Sequence, residues 1–314
     1  MQDVWATISR SQAVVPGSVT QWSDYITGYA MHRKWPRYYM SSADMSAAMG
    51  RYRWVVVDDC LVILKWVSMG GLKIHLAVPP MSKHGDVQAE LRVLEWLTAA
   101  GVGARLSAED VSLYGVPCVE CPTGPEFIFT PSDYEGLAGA AWANWRNALN
   151  VAKRRGLGVV TTVAAVPHEA LQVTKEWAEG RKKNGSHETR IASNPSGIPQ
   201  GWANAITLGD RTVAWSAYQH LVGSMATYIA SHWCTDVFQG MDAAIYLHAT
   251  NMRVAGEMHG RTTMLNMGGG AGDKGLMAAK RKLRPHHELQ VYRTTTPRPI
   301  TKADWEASRQ FAKT

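Results

Sequence analysis

The segment Ala203 to Ser231 constrains this chain most. Three runs rich in β-formers, Ala203–Leu208, Thr212–His220 and Ser224–Ser231, are joined by short turns marked by Gly209-Asp210 and Val222-Gly223. Connections that short join antiparallel neighbours, because a parallel return needs a crossover of a dozen residues or more. The segment therefore reads as a three-stranded meander whose apolar face needs covering. Helical patterns flank it, Pro167–Arg181 before and Met241–His259 after. The polar Asn184–Gly201 stretch between them reads as a loop. Upstream, Leu157–Val166 reads as a strand. Downstream come a strand at Thr262–Met267, a helix at Gly275–Leu283, a strand at Glu288–Arg293 and a short helix from Thr301. The expectation is an α/β (α+β) chain with mixed, mostly antiparallel sheets.

The first half gives a looser version of the same alternation. Trp22–Tyr39 reads as an irregular aromatic segment. Strands follow at Trp54–Val57, Cys60–Val67 and Lys73–Val78, and a helix at Gln88–Ala100 with Leu91, Leu94 and Leu97 on one stripe. Ser132–Arg155 reads as one long helix. Ser132 and Glu135 have capping-box spacing at its start, and Lys153, Arg154 and Arg155 sit before Gly156 at its end. These elements predict an N-terminal domain over 1–156, a C-terminal domain over 157–293 and a tail over 294–314 that packs back on the first domain.

Composition removes several classes. Of 314 residues, 46% are hydrophobic and 19% charged, the balance of a packed globular protein rather than a disordered one. The apolar runs Val55–Val57 and Leu61–Leu64 are far too short to span a bilayer. Four cysteines suit a reducing compartment, so the reading is cytoplasmic and monomeric. Cys118 and Cys121 are only half of a zinc site, and no metal is expected. G-x-S-x-G and H-E-x-x-H are absent. The net charge of +7 favours a polyanionic partner. It gathers at Arg146 with Lys153–Arg155, at Arg181–Lys183, and at Lys280, Arg281, Lys282 and Arg284.

The densest local motif is Gly268-Gly269-Gly270-Ala271-Gly272-Asp273-Lys274-Gly275, between a strand and a helix. Gly270, Gly272 and Gly275 fit the dinucleotide fingerprint, but only 39 residues follow, too few for the rest of that fold. Lys274 follows Asp273, which excludes a phosphate-binding loop of the Walker type. What remains is a tight turn, or a backbone that approaches a ligand with N–H groups at a helix start.

The order of elements is that of a GNAT-like acyltransferase domain, and two in tandem fill the chain. A coenzyme A enzyme of that type carries a glycine-rich pyrophosphate loop after the third meander strand. The equivalent stretch, Gln239 to Ala244, places Asp242 where glycine is needed, and a carboxylate repels phosphate. The core MLNMGGGAGDKGLMAAKRKL instead resembles the motif near the end of FemX/FemAB-type transferases, and is similar to the catalytic domain of lysyl-phosphatidylglycerol synthases. Gly275-Leu276 and Lys280 match that motif; Ala279 departs from its usual aromatic. A second similar block runs from Glu126 to Gly156, and the resemblance spans roughly 125 to 293.

The resemblance implies transfer of an amino acid from aminoacyl-tRNA to the amine of a small peptide-like acceptor, without cofactor or covalent intermediate. An aminoacyl ester is already activated, so stabilising the developing negative charge is the main task. Lys280 is the implied catalytic residue, with Asn266, Gly268, Gly269, Gly270 and Lys274 around the oxyanion and aminoacyl group. Lys182, Lys183, Arg281, Lys282 and Arg284 would meet tRNA phosphates, in the C-terminal domain. The acceptor would lie on the N-terminal domain near Arg33, Trp35 and Arg146, with Trp22 and Trp35 lining a groove. A natural-product peptide, as in uridyl-peptide antibiotic assembly, fits as acceptor. Peptidoglycan precursors, lipids, coenzyme A-dependent acylation and plain RNA binding are the alternatives.

Overall fold

The computed structural model describes residues 3–47, 51–68, 72–180, 198–234, 236–238, 242–270, 272–301, 303–304 and 306. The chain forms two compact units: unit 1 holds 1–126 and 289–314, and unit 2 holds 127–288. The expected boundary at 156/157 therefore falls inside unit 2. Phe127, Phe129, Trp145 and Ala148 share one core with Trp202, Tyr218 and Leu265, so the segment before 157 is held by the meander that follows it.

Unit 1 opens with α1 (Val4–Ser9), β1 (Gln12–Ala13) and α2 (Ser18–Ala30). The irregular segment expected at Trp22 is in fact this helix. Val19, Trp22, Ile26 and Tyr29 recur at helical spacing and are fully buried. Each such side chain stabilises by roughly 1.5–3 kcal/mol. A short helix α3 (Ser42–Ala47) precedes β2 (Tyr52–Val57), β3 (Cys60–Ser68), β4 (Leu72–Leu76) and β5 (Met81–Ser82). Asp58 and Asp59, both at positive φ, make the β2–β3 turn. Next come α4 (Val87–Ala99), β6 (Gly103–Ser107), α5 (Ala108–Tyr114) and β7 (Cys118–Glu120). Asp86 caps α4 by accepting from the N–H groups of Gln88 and Ala89. Ser107 and Asp110 form a capping box on α5. The main sheet runs β1-β2-β3-β4-β6, then the returning strand Val291–Thr294, then β7, with β5 paired to β3. Its core, with Val62, Leu64, Leu76, Leu94, Leu97 and Leu106, lies on one face.

The strand β8 (Glu126–Phe129) starts with the last residue of unit 1's first segment and carries the chain into unit 2. The long helix expected over 132–155 is broken into a short turn at Pro131–Tyr134, another at Ala140–Trp142, and α6 (Ala143–Arg154). Gly136, Leu137 and Gly139 all take positive φ, which no helix continues through. Glu135 makes an ion pair with Arg261 at 3.0 Å instead of a capping box. Then follow β9 (Leu157–Val163), α7 (Ala170–Gly180), β10 (Gly201–Leu208), β11 (Arg211–His220), β12 (Met225–Trp233), α8 (Asp242–His259), β13 (Met264–Asn266), α9 (Lys274–Lys282) and β14 (His287–Leu289). The sheet order is β14-β8-β13-β12-β11-β10-β9, with β12 and β13 parallel and the pairs β8–β13, β12–β11, β11–β10 and β10–β9 antiparallel. The single strand expected at Glu288–Arg293 is thus two strands in two different sheets. Of the tail, Ile300 packs on the unit 1 core, and Asp304 accepts hydrogen bonds from Thr301.

Candidate functional site

The parallel pair β12 and β13 opens where the site is expected. On β12, β13 pairs only with Met225–Thr227, while β12 runs on to Trp233 beside β11. From Tyr228 onward, the β13 side of β12 has no strand partner among the described residues. A notch thus forms at the end of β13, where the glycine turn begins.

The turn explains its own composition. Gly268 and Gly272 have positive φ. A Cβ on Gly270 would lie 2.1 Å from Met277 Cγ, so only glycine lets the turn close on α9. The free N–H groups expected there to meet a ligand are partly used. Gly268 N–H donates to Asn266 Oδ1 at 2.7 Å, and Asp273, the α9 N-cap, accepts from Gly275 and Leu276 N–H at 2.7 and 3.0 Å.

Lys280 sits on the opposite side of this turn. Its Nζ donates to the carbonyls of Met267, Gly268 and Gly269, at 2.5, 3.2 and 2.9 Å. It also lies 5.9 Å from the Phe127 ring centre. An ammonium has three donors, and three carbonyls converge on it here. The half-buried ammonium places a positive charge beside the notch.

The other expected residues separate. Asn266 is fully buried at the end of β13. Lys274 is exposed in the first turn of α9. Arg281 pairs with Glu288 at 2.8 Å, Arg284 donates to Ala141 O at 2.6 Å and stacks over Trp142, and Lys282 is exposed. Arg146 donates to the Leu137 and Gly139 carbonyls at 2.6 and 2.7 Å, pinning the loop before α6. Lys182 and Lys183 lie outside the described residues, as do Gln239–Met241 and Ala271; Asp242 is exposed in the first turn of α8.

Arg33 corrects the groove expectation. It is 2% exposed and bonded to Glu90 at 2.7 Å and Asp110 at 2.8 Å, while Trp22 and Trp35 are 0% and 8% exposed. Arg37 joins the same network through Asp110 at 2.9 Å and Glu126 at 3.6 Å. These carboxylates hold both guanidinium pKa values above the ordinary range despite burial.

Polar groups that sequence reading missed lie under the meander. Asn251 accepts from Asn204 at 2.6 Å and Ser216 at 2.7 Å and donates to the Tyr218 hydroxyl at 2.9 Å, all buried. Their only sequence signal was a polar residue breaking an apolar strand or helix face. His248 is 2% exposed, between Phe129, Tyr134 and Trp145, and neither ring nitrogen has a hydrogen-bond partner. Along α8 a cleft of about 710 Å³ is lined by Tyr134, Leu137, Tyr246, Arg253 and Arg261, among others. Cys118 and Cys121 enter no metal-ligand cluster among the described residues; the group that does form is Glu176, Cys234 and Asp236, with Arg211 bonded to both carboxylates.

No family model matches the chain, and no curated protein matches its sequence. Solved structures do match its fold. A conserved protein of unknown function from Bacteroides thetaiotaomicron superposes with a TM-score of 0.71 at 17% identity, over 91% of this chain and 99% of that one. L-PGS from Bacillus licheniformis gives 0.66 at 16% identity, over 96% and 98%. The C-terminal domain of a putative lysylphosphatidylglycerol synthetase from Agrobacterium fabrum gives 0.59 at 14%, over 92% and 95%. The chain therefore shares the fold of these structures, an α/β architecture of two units each built on a mixed sheet.

Proposed function

We propose that this protein is an aminoacyl-tRNA-dependent transferase that forms an amide bond between a tRNA-borne amino acid and the amine of a small peptide-like acceptor. The coarser reading, an acyl- or aminoacyltransferase, is supported by the fold shared with L-PGS and the lysylphosphatidylglycerol synthetase domain. The observation that carries the finer one is Lys280, whose ammonium draws in the carbonyls of Met267, Gly268 and Gly269 beside the notch between β12 and β13.

In the proposed reaction the acceptor amine attacks the ester carbonyl. The C–N bond forms, the bond to the ribose oxygen breaks, and the amine proton ends on that oxygen. Negative charge grows first on the carbonyl oxygen and then on the ribose oxygen. The Lys280 ammonium supplies positive potential and fixes the turn. The longest of its three hydrogen bonds, 3.2 Å to Gly268, is the one it would give up to a substrate oxygen. An α-amine with a pKa near 8 needs little help from a base. Lys274, Lys282 and Arg284, exposed around α9, are suited to tRNA phosphates. Among the described residues no helix is long and apolar enough to cross a membrane, and the acceptor proposed is a small peptide, in a natural-product or cell-wall precursor setting.

The test is incubation with a mixed pool of charged tRNAs and candidate amines, followed by mass spectrometry. Loss of one amino acid from tRNA with matching gain on an acceptor is expected. Lys280→Ala should slow that transfer at least about tenfold with the fold retained, the size expected when one charge-stabilising group is lost. Unchanged turnover in that variant removes Lys280 from the mechanism. Acyl transfer from an acyl-coenzyme A, with charged tRNA untouched, overturns the tRNA reading.

A further inference from the structure

We propose that unit 1 carries a binding site for a small molecule's oxyanion, phosphoryl or carboxylate, on the sheet face opposite its apolar core. The inference does not depend on the transfer reaction proposed above.

The strand register defines this face. Tyr52 on β2 pairs with Lys65 on β3, Lys65 with His75 on β4, and His75 with Gly103 on β6. Directly paired residues point to the same side, and so does a residue two positions along. Arg105 therefore joins this row, and Arg293, its partner on the returning strand, extends it. The alternate positions, Leu64, Ile74, Leu76, Ala104 and Leu106, belong to the apolar core. One side of the sheet is thus sealed; on the other, Leu61 and Ile63 are buried as well, and beside them stand Lys65, His75, Arg105 and Arg293. Among the described side chains at strand positions on that side, none is Asp or Glu.

The cations converge on one aromatic ring. Lys65 Nζ lies 4.8 Å from the centre of the Tyr39 ring and donates to its hydroxyl at 3.5 Å. The Arg105 guanidinium lies 5.2 Å from the same ring, and Tyr39 stacks on Tyr52 at 5.9 Å. Two like charges held against one ring repel, so this arrangement calls for counter-charge. The fold supplies little. Among the described residues, no carboxylate is within ion-pair distance of Lys65. Glu126 is 3.4 Å from Arg105 but is also shared with Arg37 and with the Tyr38 N–H. Arg105 Nε is buried without a hydrogen-bond partner. In the connected cluster, Arg33, Arg37 and Arg105 take up Glu90, Asp110 and Glu126, with Glu109 also acting on Arg33, and among the described residues none of these carboxylates is within ion-pair distance of Lys65.

Access remains on the same side. Lys65 and Tyr39 are half-buried, and the Arg105 side chain is 18% exposed. A recessed lysine and arginine beside an aromatic plane offer donors to one oxyanion rather than a track for a nucleic-acid backbone.

Calorimetric titration of the full chain at low salt, with inorganic pyrophosphate and separately with succinate, tests this. Binding of one of them at millimolar affinity or better is expected, and the preferred probe tells phosphoryl from carboxylate. Lys65→Met and Tyr39→Leu should each weaken it about tenfold, whereas Arg253→Ala, remote in unit 2, should not. Lys65→Met leaves every carboxylate pair of the buried cluster in place, so its folding is secure where that of Arg105→Met is not. Binding of neither probe below about 10 mM, or equal affinity in the two unit 1 variants, overturns the site.

Discussion

His248 shows how a single residue can escape sequence reading and still govern behaviour. It lies on α8 among Phe129, Tyr134 and Trp145, at ring-centre distances of 4.4, 5.0 and 5.9 Å. Burial without a partner penalises the imidazolium and pulls the pKa down to about 3. The unfolded chain takes up this proton near pH 6.5, the folded chain only near 3. Between those values the unfolded state binds more protons, so stability is lost as pH falls through that window. The slope from this group is on the order of 1 kcal/mol per pH unit. Urea denaturation of the wild type and of His248→Leu at pH 4, 5, 6 and 7 measures it, with the variant expected to show a flatter pH dependence; identical slopes would remove His248 as the cause. Lys280 was singled out by contrast, through the resemblance that its place after Gly275-Leu276 carries. Its partners were not. Backbone carbonyls carry no residue identity, so nothing in the letters says that three of them point at one ammonium.

At the scale of elements, regular patterns were readable and interruptions were not. The meander over 201–233 follows its apolar alternation and its two short turns closely. The stretch 132–155 misled because Leu137 at positive φ is a backbone event that no pattern marks. Helix α2 was hidden because its stripe of Val19, Trp22, Ile26 and Tyr29 starts before the aromatic run that drew attention. The segment Arg33–Arg37 was read as a ligand surface because it mixes cations with aromatics, yet its arginines turn inward. Arg33 ties the end of α2 to α4 through Glu90 and to α5 through Asp110, and Tyr114 accepts from it as well. Removing it leaves buried carboxylates without their cation, so Arg33→Met should cost about 3–5 kcal/mol. Arg33→Lys should recover only part of this, since an ammonium cannot span both carboxylates with a rigid fork. Denaturant midpoints at pH 7 decide; an Arg33→Met variant within about 1 kcal/mol of wild type would show that the network adds little to stability.

At the scale of the whole molecule, the chain leaves unit 1 after Glu126 and returns to it at Leu289. The point of return was invisible in the sequence, where 288–293 reads as one strand. Gln290 separates His287–Leu289, in the sheet of unit 2, from Val291–Thr294, in the sheet of unit 1. Val291–Thr294 lies between β6 and β7 and bonds to both, so it is an interior strand supplied from the far end of the chain. Thr294 adds a side-chain bond to the Ala104 N–H at 2.8 Å, and Val291 is fully buried. Unit 2 is continuous in sequence, and the last strand of its sheet ends at Leu289. A chain stopped after Leu289 should therefore lose cooperative order in unit 1 and keep it in unit 2. Hydrogen exchange read by peptide mass spectrometry separates the two: protection should fall across β2, β3, β4, β6 and α4 and persist across β10, β11 and β12. Retained protection in β6 would show that unit 1 closes its sheet without the returning strand. Uniform loss would show that the two units fold as one cooperative body, because local stabilities then rise and fall together.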